Sequence, residues 1–381
     1  MEISALRWHL ITGTYSPLHT GVAANSAQLA MGLAQAGDRV EVWKPAGDET
    51  GSLERGITVH NLPGHFGPRA LRQLGPVLRA ARNDRILVQY TPHAYGWKAM
   101  NWPFCRWLAG LGHHDLTVIF HEVVFPRIFG QPLRHRILHH VTRAMAATVA
   151  RAATRIMVTI PAWDSILRTL ITDRRQIELF PVCSNIPFLD DPPAVAAIRQ
   201  QLGGGEGLLV GHFGTYDPPI TDLLIPVLAR LLEQQPCRIL LLGIGGDRAR
   251  GALIARSPAG ANRVHASGDL GERELSLHLQ ACDLMLQPYP DGVTGRRTTL
   301  LAALNHGLPV VSTIGHLTEA WWNDHGAVAL APVEEPARLV PLVERVMKDC
   351  AWRRHLGAAG RALYEDRFAL RHGIAALRAA S

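Results

Sequence analysis

Two neighbouring arginines, Arg296 and Arg297, lie in a glycine-containing loop between an apolar strand pattern at residues 284–286 and a helix pattern. A glycine loop that opens a helix at the carboxyl end of a strand offers backbone N–H groups and the positive end of a helix dipole to an anion. Two guanidinium groups add permanent charge in a geometry that suits phosphate oxygens. The loop therefore predicts a phosphate site, and the alternative is an ordinary strand–loop–helix with two solvated arginines. The residues that permit tight turns or cap the helix are Gly292, Gly295, Thr294 and Thr298.

A second polar group, His121 with Glu122, directly follows the apolar run at residues 116–120. Open α/β sheets bind ligands at the carboxyl ends of their strands, so this position favours a ligand contact by His121. A purely structural histidine is the alternative, because His121 is one of 19 histidines in the chain.

The composition of the chain limits the classes of protein to consider. A length of 381 residues is sufficient for two domains, each with its own core. The formal net charge of +7 favours anionic partners such as a nucleotide, a phosphorylated lipid carrier or an acidic membrane surface. No zinc finger, RNA-binding signature or long basic arm accompanies this charge, so nucleic acid is not the expected partner. Neither an apolar run of about 18 residues nor a signal-peptide pattern is found, so we expect a cytoplasmic protein.

Cysteine and histidine spacings do not predict a metal site. The five cysteines are scattered without a Cys-x-x-Cys pair, which is typical of reduced core residues and not of a disulfide framework or a zinc site. His135, His139 and His140 are closely spaced, but no acidic ligand set accompanies them.

Apolar strand patterns alternate with helix patterns along the chain, which predicts an α/β fold of doubly wound domains. The first such unit opens with a strand at residues 5–12, a glycine loop, a helix at 22–36 and a strand at 39–43. A stretch rich in proline and aspartate at residues 181–193 predicts an interdomain connection. A second unit is expected to start after the three glycines at 203–205.

Two basic segments leave open a contact with a membrane. Trp97, Trp102 and Trp107 stand close to Lys98 and Arg106. Such aromatic residues are more often core or interface residues, yet beside cations they also fit a membrane surface or an apolar acceptor. The helix pattern at residues 133–153 is basic and amphipathic; it fits a solvated helix face or one that lies on anionic lipid.

The segment from position 290 to 311, PDGVTGRRTTLLAALNHGLPVV, resembles the donor-binding signature of retaining glycosyltransferases of GT-B fold, family 4. In that family one glutamate contacts the donor sugar and a second contacts the nucleotide ribose. Thr294 and Ala302 stand at those two positions here. With both glutamates replaced, Asp291 and the arginine pair indicate a divergent branch with a rearranged set of donor contacts. Asp291 and His121 are the predicted catalytic residues.

The resemblance covers nearly the whole chain and implies roles for further residues. Gly21, the glycine before the first helix, is implied to let the N-terminal loop approach the donor diphosphate, and His121 to contact the donor sugar. The nucleotide base is implied to lie near Gly268. Gly214 and Thr215 follow the first strand of the second domain, where the family usually places an arginine and a lysine for the diphosphate.

Because that basic pair is absent, Arg296 and Arg297 are expected to supply the charge that holds the diphosphate. The complete set of expected donor-binding residues is Gly21, Gly214, Thr215, Gly268, Thr294, Gly295, Arg296, Arg297 and Thr298.

The resemblance therefore implies two Rossmann-like domains with a cleft between them: an acceptor domain at residues 1–190, a donor-nucleotide domain at 206–360 and a helix at 361–381 that crosses back. The implied reaction is transfer of a sugar from a nucleotide-diphosphate sugar, with a UDP-sugar favoured, and with retention at the anomeric carbon. No cofactor and no metal are expected. The acceptor is a glycan, a lipid carrier or a small molecule, and the inner face of the membrane is a second expected location. A non-catalytic binding protein and a nucleotide-sugar epimerase or hydrolase of the same fold are the alternatives.

Overall fold

The computed structural model describes residues 5–15, 21–47, 55–112, 115–127, 130–172, 175–203 and 207–379. The chain divides into two compact units. The first comprises Met1–Val182 together with Leu370–Ser381, and the second comprises Cys183–Ala369.

The first unit is built on a parallel sheet of seven strands in the order β3-β2-β1-β4-β5-β6-β7. Its strands are β1 (Arg7–Thr12), β2 (Arg39–Pro45), β3 (Ile57–Leu62), β4 (Arg85–Tyr90), β5 (Asp115–Phe120), β6 (Arg155–Val158) and β7 (Ile177–Leu179). Its helices are α1 (Gly21–Gln35), α2 (Pro68–Ala80), α3 (Trp102–Ala109), α4 (Leu133–Ala152), α5 (Pro161–Arg168) and, from the end of the chain, α14 (Leu370–Arg378).

The second unit is built on a parallel sheet of six strands in the order β10-β9-β8-β11-β12-β13. Its strands are β8 (Leu209–Phe213), β9 (Arg238–Leu242), β10 (Val264–Ala266), β11 (Leu284–Gln287), β12 (Val310–Ile314) and β13 (Ala329–Pro332). Its helices are α6 (Pro192–Gln201), α7 (Pro218–Gln234), α8 (Gly246–Arg256), α9 (Glu272–Ala281), α10 (Thr298–Asn305), α11 (Trp321–Asp324), α12 (Leu339–Lys348) and α13 (Cys350–Arg367).

Both sheets have the strand order of a doubly wound fold, which confirms the predicted fold class. The chain moves outward from β1 in one direction and from β4 in the other, and it does the same from β8 and β11. Open α/β sheets bind ligands in the crevice at such a switch point, beyond the carboxyl ends of the strands. The topology therefore favours one ligand-binding position in each unit: between β1 and β4 in the first, and between β8 and β11 in the second.

Each sheet is buried on both faces, as the continuous apolar strands require. In β1 the side chains of Leu10 and Ile11 point to opposite sides and enter two separate clusters of buried residues. Leu10 packs with Leu29 and Leu33 of α1, and Ile11 belongs to the cluster that contains Phe104 of α3. The core of the second unit includes β8, β9 and β11 and the helices α7 and α12.

The last helix, α14, belongs to the first unit. Arg85 donates a hydrogen bond to the carbonyl oxygen of Leu377 at 2.9 Å, and Arg155 donates one to that of Ala376 at 2.6 Å. Arg378 of α14 lies 3.4 Å from the buried carboxylate of Asp38. These contacts place the unit boundary at residue 370, where α13 has ended, and not at 361 within α13.

The other boundary falls after Val182, before the expected position 190. The residues that follow are bound into the second unit: the N–H of Ser184 donates to the hydroxyl of Tyr364 at 3.2 Å, and Asn305 donates to the carbonyl of Ile186 at 3.0 Å.

The cysteines of the chain are free thiols, and four of them are buried as predicted. Cys350 is exposed, which corrects the expectation of a core residue. It is the first residue of α13, and this first turn, capped by Asp349, lies at the surface. No helix within the described residues combines the length and the apolar character that crossing a bilayer requires.

Candidate functional site

The candidate site of the second unit lies at its switch point, between the ends of β8 and β11. Three buried polar atoms near these strand ends have no hydrogen-bond partner within the described part of the chain: Nε2 of His212, Oε1 of Gln287 and Oγ1 of Thr294. Buried polar groups are nearly always satisfied by protein or water. Their clustering along β8, β11 and the following loop is therefore characteristic of a place that a polar ligand or water completes.

The loop after β11 is fixed by hydrogen bonds to β12 and by close packing against the loop that follows β12. The N–H of Tyr289 donates to Oγ1 of Thr313 at 2.8 Å, and the N–H of Val293 donates to the carbonyl oxygen of Thr313 at 2.8 Å. Gly292 has a φ of +87°, and a side chain there would overlap the backbone of Gly315. The predicted tight turn is therefore present, and glycine is required by both its conformation and the close approach of a second loop.

Both arginines of this loop bind one carboxylate, that of Asp291. Nη2 of Arg296 lies 2.9 Å from Oδ2 of Asp291, and Arg297 pairs with the other oxygen, Oδ1. The guanidinium of Arg297 also covers the ring of Tyr289, 4.7 Å from its centroid. About a fifth of each charged side chain is exposed, so the cluster is partly shielded from water. The three charged groups together carry one net positive charge, and the two ion pairs fix the orientation of both guanidinium groups.

The backbone N–H of Gly295 is bound by a carboxylate that the sequence did not single out. Oε1 of Glu319 accepts a hydrogen bond from it at 3.0 Å, and Oε2 accepts one from Nε1 of Trp322 at 2.8 Å. Glu319 is only 7% exposed, and burial raises the pKa of its carboxyl group. The Gly295 amide, predicted to contact the donor, is thus committed to an internal partner. No sequence signal marks Glu319, because its partner stands 24 positions earlier.

The threonines of the predicted site occupy different environments. Thr298 is the first residue of α10. Thr294 is fully buried, with its hydroxyl oxygen unpartnered among the described residues. Ala302, at the second glutamate position of the resemblance, is also fully buried and packs within α10. Of Thr294 and Ala302, which stand at the two glutamate positions of the resemblance, only Thr294 therefore has a polar side chain, its hydroxyl.

The loop after β8 is held by hydrogen bonds to β8 and β9 and by one bond within the loop. The N–H of Gly214 donates to the carbonyl of Leu242 at 3.1 Å, and the hydroxyl of Thr215 donates to Asp217 at 2.8 Å. Tyr216 is buried with a φ of +58°, which is uncommon for a residue other than glycine. Its hydroxyl donates to the carbonyl of His212 at 3.1 Å, which holds this conformation. The structure therefore brings Gly214 and Thr215 to the switch point, where the amide of Gly214 and the hydroxyl of Thr215 already donate to partners in the protein.

Two further residues border this end of the sheet. Gly268 follows β10 with a φ of +65°, and a side chain there would meet no atom within 4 Å. Burial lowers the pKa of His212 to about 4, although its Nδ1 lies 2.8 Å from the carbonyl oxygen of Leu286. Because a neutral ring donates from Nδ1 to that carbonyl, Nε2 of His212 presents a lone pair.

In the first unit, His121 follows β5 and is 8% exposed. Its Nε2 lies 2.5 Å from Oε1 of Gln89, a residue near the end of the neighbouring strand β4. Because an amide oxygen only accepts, Nε2 of His121 donates this hydrogen bond to Oε1 of Gln89. The carbonyl of His121 accepts from Nε1 of Trp163 at 2.8 Å. His121 therefore lies at the carboxyl edge of the sheet, as predicted, and its ring is oriented by Gln89.

Gly21 is exposed and forms the first residue of α1. The loop before it, residues 16–20, lies outside the described residues. Next to His121, Glu122 binds His93, with Nδ1 to Oε2 at 3.3 Å, and this hydrogen bond raises the pKa of His93. Across the described ranges, no three His, Cys, Asp or Glu side chains are grouped as a metal ion would require.

Part of the second unit matches a known protein-family model. Residues 207–349 match the family model described as "Glycosyl transferases group 1". No curated protein sequence matches the chain significantly.

Solved structures resemble the chain over nearly its full length. WaaG, a glycosyltransferase involved in lipopolysaccharide biosynthesis, superposes with a TM-score of 0.70 at 16% identity, over 97% of this chain and 98% of that one. Anabaena HepE in complex with UDP and glucose gives 0.69 at 18% identity, over 98% of both chains. Sucrose-phosphate synthase from Thermosynechococcus elongatus gives 0.74 at 18% identity, over 98% of this chain and 97% of that one. The chain therefore has the GT-B fold of these structures, and residues 207–349 of its second unit match the group 1 glycosyl transferase family model.

Proposed function

We propose that the protein transfers a sugar from a nucleotide-diphosphate sugar to an acceptor, with retention of the anomeric configuration. The observation that carries this proposal is the pair Arg296 and Arg297, oriented by Asp291 at the switch point of a group 1 glycosyl transferase domain. A UDP-sugar is the favoured donor, because structural relatives were solved with UDP-glucose and with UDP-2-fluoro glucose.

The arginines supply the positive charge that a donor diphosphate needs. A guanidinium carries five N–H donors in a rigid fork, and phosphate oxygens match that geometry. Asp291 binds Nη2 of both arginines and thereby fixes the direction of the two guanidinium planes. When the bond between the anomeric carbon and the diphosphate breaks, negative charge grows on the leaving phosphate. Donors that are already oriented stabilise this charge without reorganising.

Such a mechanism needs no strong base from the protein. The acceptor hydroxyl attacks the anomeric carbon on the face from which the diphosphate departs, and its proton passes to a phosphate oxygen of the leaving group. Positive charge from the arginines and the first turn of α10 then takes the part that a metal ion plays in other transferases. Metal independence therefore belongs to the proposal.

Further donor contacts are assigned by position. Thr294, with its buried hydroxyl, stands where the resemblance places a sugar contact, and Thr298 opens α10. Gly268 borders open space at the end of β10, which suits the approach of a nucleotide base. In the first unit, His121 is assigned to the donor sugar, and Gly21, at the start of α1, to the diphosphate.

The test is incubation of the purified chain with a panel of nucleotide sugars, with and without candidate acceptors, followed by quantification of the free nucleotide and the sugar product. We expect nucleotide release that depends on the acceptor, and a product whose anomeric configuration matches that of the donor. Release without an acceptor supports an epimerase or hydrolase, and binding without any release supports a non-catalytic protein. An inverted product contradicts the retaining mechanism.

The panel is repeated with a variant in which Arg296 and Arg297 are replaced by alanine, and with a matched control variant. Arg248 and Arg256 are exposed on α8 of the same unit. Replacement of both by alanine removes the same charge as replacement of Arg296 and Arg297 and is expected to leave turnover unchanged.

A further inference from the structure

One face of the first unit exposes large apolar side chains. Of the eight large hydrophobic residues that are exposed in the described structure, four belong to α3, α4 and the segment that leads into α3. They are Trp97, 49% exposed, Trp102, 42%, Leu133, 67%, and Ile137, 52%. Of the alternatives that the sequence left open for these tryptophans, burial in the core does not apply to Trp97 and Trp102. Trp107 alone packs against the core.

The exposed apolar residues of α4 lie on a strip along one side of that helix, and the same side contacts α3. Successive residues of a helix are about 100° apart, so Leu133, Ile137, Ala144 and Thr148 of α4 share one side. Thr148 accepts a hydrogen bond from Nε1 of Trp102 at 3.2 Å, which joins α3 to this side of α4. The strip therefore begins at Leu133 and Ile137, passes the exposed His140 and Ala144, and ends beside the indole of Trp102.

Cations surround the strip, and acidic residues are absent from the segments that form it. No aspartate or glutamate occurs between positions 85 and 114 or between 123 and 163. Arg134 and Arg136 flank Leu133 and Ile137, and no carboxylate among the described residues pairs with either arginine. On α3, the guanidinium of Arg106 lies 5.4 Å from the ring centroid of Trp102.

The backbone just before α3 has positive φ values at four successive residues, and two of these residues, Trp97 and Lys98, are exposed. Gly96, Trp97, Lys98 and Ala99 have φ values of +80°, +52°, +53° and +68°. Three of these four residues are not glycine, and such conformations persist only where the surrounding structure imposes them. The next residue but one, Asn101, is buried and donates to the carbonyl of Tyr95 at 2.8 Å, so it anchors the run on its inner side.

We propose that this basic–aromatic face, formed by Trp97, Lys98, Trp102, Arg106, Leu133, Arg134, Arg136 and Ile137, docks the protein on the surface of an anionic lipid bilayer. Tryptophan and leucine side chains enter the boundary between headgroups and acyl chains, while lysine and arginine bind lipid phosphates. All four charged side chains of this face are cations, and the segments that form it contain no aspartate or glutamate. A face of uniform positive charge with exposed apolar side chains matches the uniformly negative surface of an anionic bilayer, which favours lipid as the occupant.

This inference is independent of the transferase reaction, and its test measures binding alone. The full chain is sedimented with vesicles of phosphatidylcholine and with vesicles that also contain phosphatidylglycerol, at low and high salt. We expect binding to the anionic vesicles that weakens with salt, and weak or no binding to the neutral ones.

Two double variants separate the charged from the apolar contribution. Each cation near an anionic surface contributes about fivefold in affinity, so Arg134→Glu with Arg136→Glu is expected to weaken vesicle binding ~25-fold or more. Leu133→Ser with Ile137→Ser is expected to reduce binding at both salt concentrations. Both variants change exposed positions and are expected to keep the wild-type melting temperature.

Matched controls lie on the second unit. Arg248→Glu with Arg256→Glu makes the same change in net charge on α8, and Ile244→Ser removes a side chain that is 54% exposed. Loss of binding in these controls equal to that in the face variants overturns the proposal, as does equal binding of wild type to neutral and anionic vesicles. A wild-type chain that self-associates without binding vesicles, and that Leu133→Ser with Ile137→Ser converts to monomer, identifies the face as a contact between copies and also overturns it.

Discussion

Oδ2 of Asp291 lies 2.9 Å from Nη2 of Arg296, so a carboxylate of the chain already occupies part of the guanidinium that a donor phosphate would use. The second oxygen of Asp291 pairs with Arg297 in the same way. Asp291 therefore has two opposing effects on a bound diphosphate. It orients both arginines, and it places a negative charge beside the anion that they are expected to bind.

The first prediction follows from that opposition. Asp291→Asn removes the charge but keeps an oxygen that accepts from one arginine. Two unit charges about 5 Å apart in a watery medium repel by ~1 kcal/mol, so we expect UDP to bind about fivefold more tightly to the variant. Calorimetric titration of UDP measures this, with Asp247→Asn on the surface of α8 as the charge control. Weaker binding than wild type would show that orientation of the arginines outweighs charge repulsion.

The same variant also tests the predicted catalytic role of Asp291. We expect its turnover to fall although its nucleotide affinity rises, because an arginine that has lost its ionic partner is less well oriented when the leaving charge develops. Steady-state kinetics with the donor found in the panel gives the comparison. Wild-type turnover in Asp291→Asn would remove this residue from the catalytic group.

His121 and Gln89 form a second testable pair. His121→Ala is expected to lower turnover by about tenfold or more while the UDP dissociation constant stays within about twofold, since the proposed contact is to the sugar. Gln89→Leu removes the acceptor that orients the ring and should change turnover in the same direction. Gln89→Glu retains an acceptor oxygen and serves as the conservative control. Unchanged turnover in His121→Ala and Gln89→Leu would contradict a role at the donor sugar.

Two buried histidines predict how the stability of the second unit depends on pH. Burial lowers the pKa of both His212 and His306 to about 4. In the unfolded chain each would titrate near 6.5, so the unfolded state binds protons first as the pH falls. The stabilisation is therefore complete above about pH 6.5 and is lost progressively as the pH falls through about 4, by up to roughly 3 kcal/mol for each histidine.

Urea unfolding from pH 7 to pH 4 measures this loss. His212→Asn keeps a donor in the place of Nδ1 but does not titrate, so we expect a flatter pH dependence together with a lower stability at pH 7. For each protein we compare how steeply the free energy of unfolding changes with pH. This slope does not depend on how much the substitution destabilises the protein at pH 7. A variant with the wild-type slope would show that His212 is not the group that titrates.

Much of the fold could be predicted because apolar runs bounded by polar residues mark buried parallel strands. The apolar run at residues 116–120 corresponds to β5 (Asp115–Phe120), and the run at 284–286 corresponds to β11 (Leu284–Gln287), each within one residue of the predicted bounds. β13, in contrast, is a strand of only four residues, Ala329–Pro332, that ends in proline and is too short to show a periodic pattern of its own. This segment is a strand because it pairs with β12, and a local sequence pattern does not reveal such a tertiary contact.

The candidate site shows the same limit. The arginine pair could be predicted, since loop, charge and helix follow one another in the chain. The partners of these residues could not: Glu319 reaches Gly295 from a separate loop, and Gln89 reaches His121 from a neighbouring strand. Both contacts depend on which segments the fold places side by side.

The central claim is that Arg296 and Arg297 hold the diphosphate of the donor, and calorimetric titration of UDP tests it most directly. For the variant with both arginines replaced by alanine, we expect a loss of about 2–5 kcal/mol in binding free energy, because charge-assisted contacts to a partly buried phosphate disappear. Lysine at both positions keeps the charge without the fork and should bind with intermediate affinity, while Arg248→Ala with Arg256→Ala should bind as wild type. UDP binding of wild-type strength in a folded Arg296→Ala, Arg297→Ala protein would contradict the assignment of the site.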